Sequence, residues 1–186
     1  MINWLSKIIF YNVLGWKFKG SIPDDKKIIA ILGPHTSAYD FIMCIIGRSV
    51  LKMNSRIKFL GKAELFKNPL YKFFFTTFGG YPVDRSKKNN LVDSIVEIYN
   101  SKDEFFVTIA PEGTRKKVDK LKTGFYYIAL KAKIPVLMIG LDFKKKLILI
   151  SKLFYVTGDI NKDMDFFIDF FRPITGKVPQ NGLNHL

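Results

Sequence analysis

Short apolar strands alternating with helical stretches over 186 residues predict one α/β domain, a largely parallel central sheet flanked by helices. Three observations support that class. The runs 27–32, 105–109 and 134–141 are short and rich in Ile, Val and Phe, as buried strands are. Between them, apolar residues recur at helical spacing, as in Leu91, Val92, Ile95, Val96 and Ile98. Near the end, the runs 134–141 and 147–150 are joined by the turn 142–146, which gives the sheet an antiparallel end.

The elements follow in order. Residues 1–20 predict an amphipathic helix for membrane contact, since Trp4, Leu5, Ile8 and Ile9 alternate with Asn3, Ser6 and Lys7. Strand 27–32 leads to an apolar helix from about Tyr39 to Met53, capped by Thr36 or Ser37. Residues 56–61 read as a second strand, followed by helical turns through the aromatic run 70–78. The glycines and proline of 78–85 demand an irregular path. Asn89 caps the helix that carries Leu91 to Ile98, and strand 105–109 ends in the loop 111–115. A helix over 120–131, the two strands of the antiparallel end and a last helix over 162–171 complete the domain. The chain shows no linker, repeat or low-complexity tract, so residues 1–186 read as one unit.

Composition narrows the partners. A net charge of +14 calls for something anionic: nucleic acid, a membrane surface or phosphorylated substrates. Eighteen Phe and 48% hydrophobic residues favour lipid over nucleic acid. No zinc-ligand cluster, RNA-recognition signature or basic heptad region supports a nucleic-acid module. Cys44 is the only cysteine, so no internal disulfide can form and a reducing compartment is expected; its apolar neighbours predict a buried thiol. No stretch reaches the roughly 18 apolar residues that cross a bilayer, so membrane contact is expected to be peripheral, at the cytoplasmic face.

His35 and Asp40 stand where the first buried strand hands over to a helix. Five residues apart on one helix they would face different ways, because each residue turns about 100°. His35 must therefore precede the helix, and from there its ring can fold back onto Asp40 in the first turn, where the carboxylate would fix the tautomer and stabilise an imidazolium. That arrangement makes His35 a candidate general base. The competing reading is a helix cap with Asp40 complementing the helix dipole. Two later loops place Arg85 and Arg115 beside glycine or proline, where guanidinium groups can pair with phosphate, or else with Asp84, Glu112 or Asp119 in structural ion pairs.

Four motifs in order carry a resemblance. His35-Thr36-Ser37-Ala38-Tyr39-Asp40 is a His-x4-Asp box, followed by Gly80-Tyr81-Pro82-Val83-Asp84-Arg85, Pro111-Glu112-Gly113-Thr114-Arg115 and Ile134-Pro135-Val136. Over residues 27–142 the chain resembles the PlsC-like family of lysophosphatidate and glycerolipid acyltransferases. It departs at Pro34, Ala110 and Lys116, where the family often has asparagine, an aromatic residue and serine. The resemblance implies the glycerolipid acyltransferase fold and transfer of a fatty acyl group to a lysophospholipid hydroxyl, with 1-acyl-sn-glycerol 3-phosphate as acceptor. The donor would be a coenzyme A or acyl carrier protein thioester, acting as co-substrate with no bound cofactor and no metal. It assigns His35 and Asp40 to catalysis, and Arg85, Glu112, Gly113, Thr114 and Arg115 to substrate binding.

Other readings stay open. An ornithine or other amino-acid lysolipid is an alternative acceptor, and a noncatalytic basic lipid-binding protein is an alternative class. Residues 111–146 hold ten Lys or Arg against Glu112, Asp119 and Asp142, a net +7, which reads as a surface for anionic lipid, coenzyme A phosphates or an acidic carrier, or as a solvated basic face. The aromatic run 70–75 reads as an acyl tunnel lining, a membrane contact or core. His185, in a polar tail, is expected to be mobile and uninvolved.

Overall fold

The computed structural model describes residues 2–84 and 91–186; Arg85 and Asn89 lie outside them. The chain forms α1 (Ile2–Lys7), a π-helical turn (Ile8–Val13), β1 (Lys17–Lys19), β2 (Lys27–Gly33), α2 (Tyr39–Val50), β3 (Ile57–Lys62) and α3 (Pro69–Thr77). Then come β4 (Gly80–Val83), α4 (Leu91–Ser101), β5 (Phe105–Ile109), α5 (Gly124–Ala132), β6 (Val136–Asp142), β7 (Leu147–Ile150) and α6 (Ile160–Phe171). Seven strands make one sheet in the order β1-β7-β6-β2-β5-β3-β4, parallel throughout except for the β6–β7 hairpin.

β2 sits at the centre because it can be buried on both faces. Ile28, Ile29, Ala30 and Ile31 are fully buried, and each large side chain among them contributes roughly 1.5–3 kcal/mol. Alternation sends Ile29 and Ile31 to one core, shared with α4, α5 and α6, and Ile28, Ala30 and Leu32 to a second, shared with α2 and the N-terminal segment. Tyr99 of α4 locks the first core by donating its hydroxyl to Ile28 O at 2.7 Å.

Several expectations need correction. The 78–85 segment is not wholly irregular: Gly80–Val83 pairs in parallel with β3, and Pro82 is tolerated there because β4 is an edge strand. The helix expected over 120–131 begins only at Gly124, since Lys122 N–H is used by Pro111 O to close the preceding loop. The 1–20 segment is helical only to Val13, and Lys17–Lys19 adds a parallel strand on β7. The C-terminal tail is docked: Leu183 is fully buried and His185 Nε2 donates to Val118 O at 2.8 Å. Leu183 anchors it through burial that the polar residues around it conceal in sequence.

Candidate active site

β2, β5 and β6 are parallel, so their carboxyl ends and the loops that follow gather on one edge of the sheet, where ligands collect in such folds. That edge receives 34–38 from β2 and 110–123 from β5. After the cis Gly33–Pro34 peptide, His35 stands ahead of α2, and Asp40 enters in the first turn.

The helix start is held from within. Ala38 occupies the cap position and offers no side-chain acceptor, so neither Thr36 nor Ser37 is the cap residue. Asp40, fully buried, instead accepts through Oδ2 from Thr36 N–H at 2.7 Å and Ser37 N–H at 2.8 Å. Ser37 Oγ adds an acceptor for Tyr39 N–H at 3.3 Å. The Thr36 hydroxyl is used elsewhere, accepting the Val178 N–H of the C-terminal tail at 3.1 Å.

The same Asp40 Oδ2 lies 3.1 Å from His35 Nδ1. An ionised carboxylate can only accept, so it selects the tautomer with the proton on Nδ1 and leaves Nε2 as a free base. The imidazole is about one-fifth exposed, at 21%. It opens onto a cleft of about 910 Å³ between α2 and the sheet. Phe41, Cys44, Ile45, Arg48 and Leu51 line the cleft from α2 at helical spacing, and Leu32, Ile139, Leu141, Ile148 and Ile150 line it from β2, β6 and β7. Thr108 of β5 adds a buried hydroxyl without a hydrogen-bond partner among the described residues.

Glu112 is 3% exposed and accepts the His35 N–H through Oε1 at 2.8 Å. Burial pushes its carboxyl above the usual range, with the His35 N–H pulling in the opposite direction. Gly113, at φ +65, turns the loop; a Cβ there would sit 2.3 Å from Lys122 Nζ. Gly113, Thr114 and Arg115 then line the cleft together with His35. Arg115 is exposed and makes no ion pair among the described residues, while its carbonyl accepts from Asn181 Nδ2 at 2.9 Å. Of the seven residues singled out in sequence, the structure therefore brings together His35, Asp40, Glu112, Gly113, Thr114 and Arg115. Arg85 lies outside the described residues.

Two features escaped sequence reading. Glu112 holds the backbone of His35 through Oε1, and the C-terminal tail braces both loops through Val178 and Asn181. The basic segment also divides. Residues 115–122 and the 143–146 turn lie at the site edge, whereas Lys131 and Lys133 fall at the opposite edge, where α5 ends and β6 begins.

A histidine–carboxylate pair on the carboxyl edge of a parallel sheet, opening onto a mainly apolar cleft, is the geometry of a candidate enzyme active site. Residues 17–142 match the Acyltransferase family model, and the chain belongs to that family. It is 29% identical over 99 residues to mouse 1-acyl-sn-glycerol-3-phosphate acyltransferase epsilon, which covers 52% of this chain and 27% of that relative. The chain thus spans about a quarter of that relative's length. In fold it resembles the 1-acyl-sn-glycerophosphate acyltransferase PlsC of Thermotoga maritima, with a TM-score of 0.58 at 19% identity, covering 91% of this chain and 75% of the other.

Proposed function

We propose that this chain transfers a fatty acyl group from a coenzyme A or acyl carrier protein thioester to a hydroxyl of a lysophospholipid, with 1-acyl-sn-glycerol 3-phosphate as the acceptor. The observation that carries this reading is the His35–Asp40 pair at 3.1 Å, with Nε2 left free at an apolar cleft. His35 Nε2 takes the hydroxyl proton as the oxygen attacks the thioester carbonyl. Asp40 balances the imidazolium, the C–S bond breaks, and the proton passes to the departing thiolate. Such general-base help supplies roughly 10²–10⁴ in rate, and positioning must supply much of the rest.

The acyl chain lies in the cleft. Gly113, Thr114 and Arg115, joined by Arg85, hold the acceptor phosphate, and the basic site edge attracts the anionic donor. Glu112 serves as a positioning residue through the His35 backbone.

The protein works peripherally at the cytoplasmic face of an anionic membrane. Asn3 and Ser6 hydrogen-bond with Ser49, so α1 turns polar groups toward α2 while Trp4 and Leu5 face outward. Leu70 and Phe73 of α3 are likewise exposed. Among the described residues no helix is long and apolar enough to cross a membrane.

The deciding experiment gives purified protein labelled acyl-coenzyme A or acyl carrier protein with lysophosphatidate, an amino-acid lysolipid, or no acceptor, and measures thiol release and labelled product. Two-chain phosphatidate formation is expected. Product only from the amino-acid lysolipid would reassign the acceptor, and binding without thiol release would make this a lipid-binding protein.

A further inference from the structure

The cleft is apolar along most of its length, but its end away from His35 is not. Arg48 lies eight residues beyond Asp40 on α2, about 12 Å along the helix axis. It is 8% exposed and lines the cleft wall. Its guanidinium occupies the space left by Gly79, whose built Cβ would overlap Nη1, and Nη1 donates to Ile57 O at 3.0 Å. Nε is buried with no hydrogen-bond partner among the described residues. Lys58, one residue into β3, lines the same end and has no hydrogen bond or ion pair among the described residues. Burial depresses both groups' pKa values, and the Arg48 charge further depresses that of Lys58. Two neighbouring cations at a greasy wall without a carboxylate are costly unless an anion joins them.

We propose that Arg48 and Lys58 form an oxyanion site at the far end of the cleft, binding the phosphate head of a single-chain amphiphile whose tail extends toward His35. The charge pair selects the head and the apolar walls select the tail. This site is separate from the acceptor-phosphate role given to Arg115, and it stands on the cleft's geometry without requiring acyl transfer.

Calorimetric titration with octyl phosphate, octyl glucoside and inorganic phosphate tests it without any turnover. Octyl phosphate should bind more tightly than either of the others. Lys58→Met has no internal bond to lose and should weaken octyl phosphate roughly 10-fold or more, the equivalent of a charge-assisted hydrogen bond. Arg48→Gln should weaken it similarly, with thermal melting as the folding control. If that variant unfolds, Lys58→Met alone decides. Octyl glucoside should be indifferent to Lys58→Met. Undiminished binding of octyl phosphate by folded Lys58→Met, or its loss in Arg115→Ala alone, would put the phosphate elsewhere. Inorganic phosphate binding as tightly as octyl phosphate would remove the amphiphile.

Discussion

Glu112 grips His35 by its backbone while the imidazole turns to Asp40: Oε1 accepts the His35 N–H at 2.8 Å, and Nδ1 meets Asp40 at 3.1 Å. Two carboxylates, one from the first turn of α2 and one from the loop after β5, thus fix one histidine at two points, and only Nε2 remains for chemistry.

Glu112→Gln keeps an acceptor and should preserve most activity, whereas Glu112→Ala orphans a buried N–H and should cost about 1–3 kcal/mol in denaturant unfolding. The pH dependence has a defined sign. Because burial raises this carboxyl in the fold, its favourable contribution is complete below the unfolded value, near 4.5, and is lost as pH rises through the folded value. Unfolding midpoints measured upward from that pH should show this falling limb in the native sequence and its absence in Glu112→Gln.

His35→Ala should lower kcat by roughly 10²–10⁴ with the fold intact. Asp40→Asn should lose less turnover but more stability, because Oδ2 also accepts the Thr36 and Ser37 N–H groups. Single-turnover rates paired with circular dichroism check both, and near-normal chemistry in folded His35→Ala would remove the general-base assignment.

Arg115 is exposed and makes no ion pair among the described residues, so Arg115→Ala should barely move the melting temperature. If it grips phosphate, kcat/KM for a phosphate-bearing acceptor should fall about 10- to 100-fold while an uncharged lysolipid is little affected. Kinetics on the matched acceptors decide this, and equal losses on both would mean a structural arginine.

Burial raises the Cys44 thiol to about 12, with Asp40 adding to the rise. Little thiolate exists near neutral pH, so iodoacetamide should label the folded protein slowly and the denatured protein fast. Cys44→Ala should retain transfer; trapping of a labelled acyl-enzyme lost in that variant would replace direct transfer by a covalent route.

Vesicle co-sedimentation should show strong binding to anionic lipid, weak binding to neutral lipid and partial release by salt, with each basic side chain near the surface giving roughly 1 kcal/mol. Trp4→Ser with Leu5→Ser should reduce the salt-resistant fraction. Binding independent of lipid charge and salt would remove the electrostatic part of this reading.

The largely parallel sheet with an antiparallel end was readable from buried apolar runs such as 27–32 alternating with helical stretches, and helical geometry placed His35 ahead of α2, within reach of Asp40. What could not be read was long-range. The partner of Glu112 lies 77 residues away, and nothing in the Pro-Glu-Gly-Thr-Arg run says whether its carboxylate points at a ligand or at backbone. The tail's docking likewise depends on Leu183 finding a core built by residues far upstream. Local capping rules placed the start of α2 at Tyr39 but named the wrong cap, because a carboxylate inside the helix took over the work of a cap residue.

Thr36 and Val178 are joined across 142 positions of sequence. On a ribosome, the histidine loop emerges well over a hundred residues before its hydroxyl can find that amide. The Arg115 loop waits longer still, for Asn181. The nascent protein therefore carries His35 in an unfinished setting until residues 178–181 have been made, and the two loops should reach their final geometry together, only after that point.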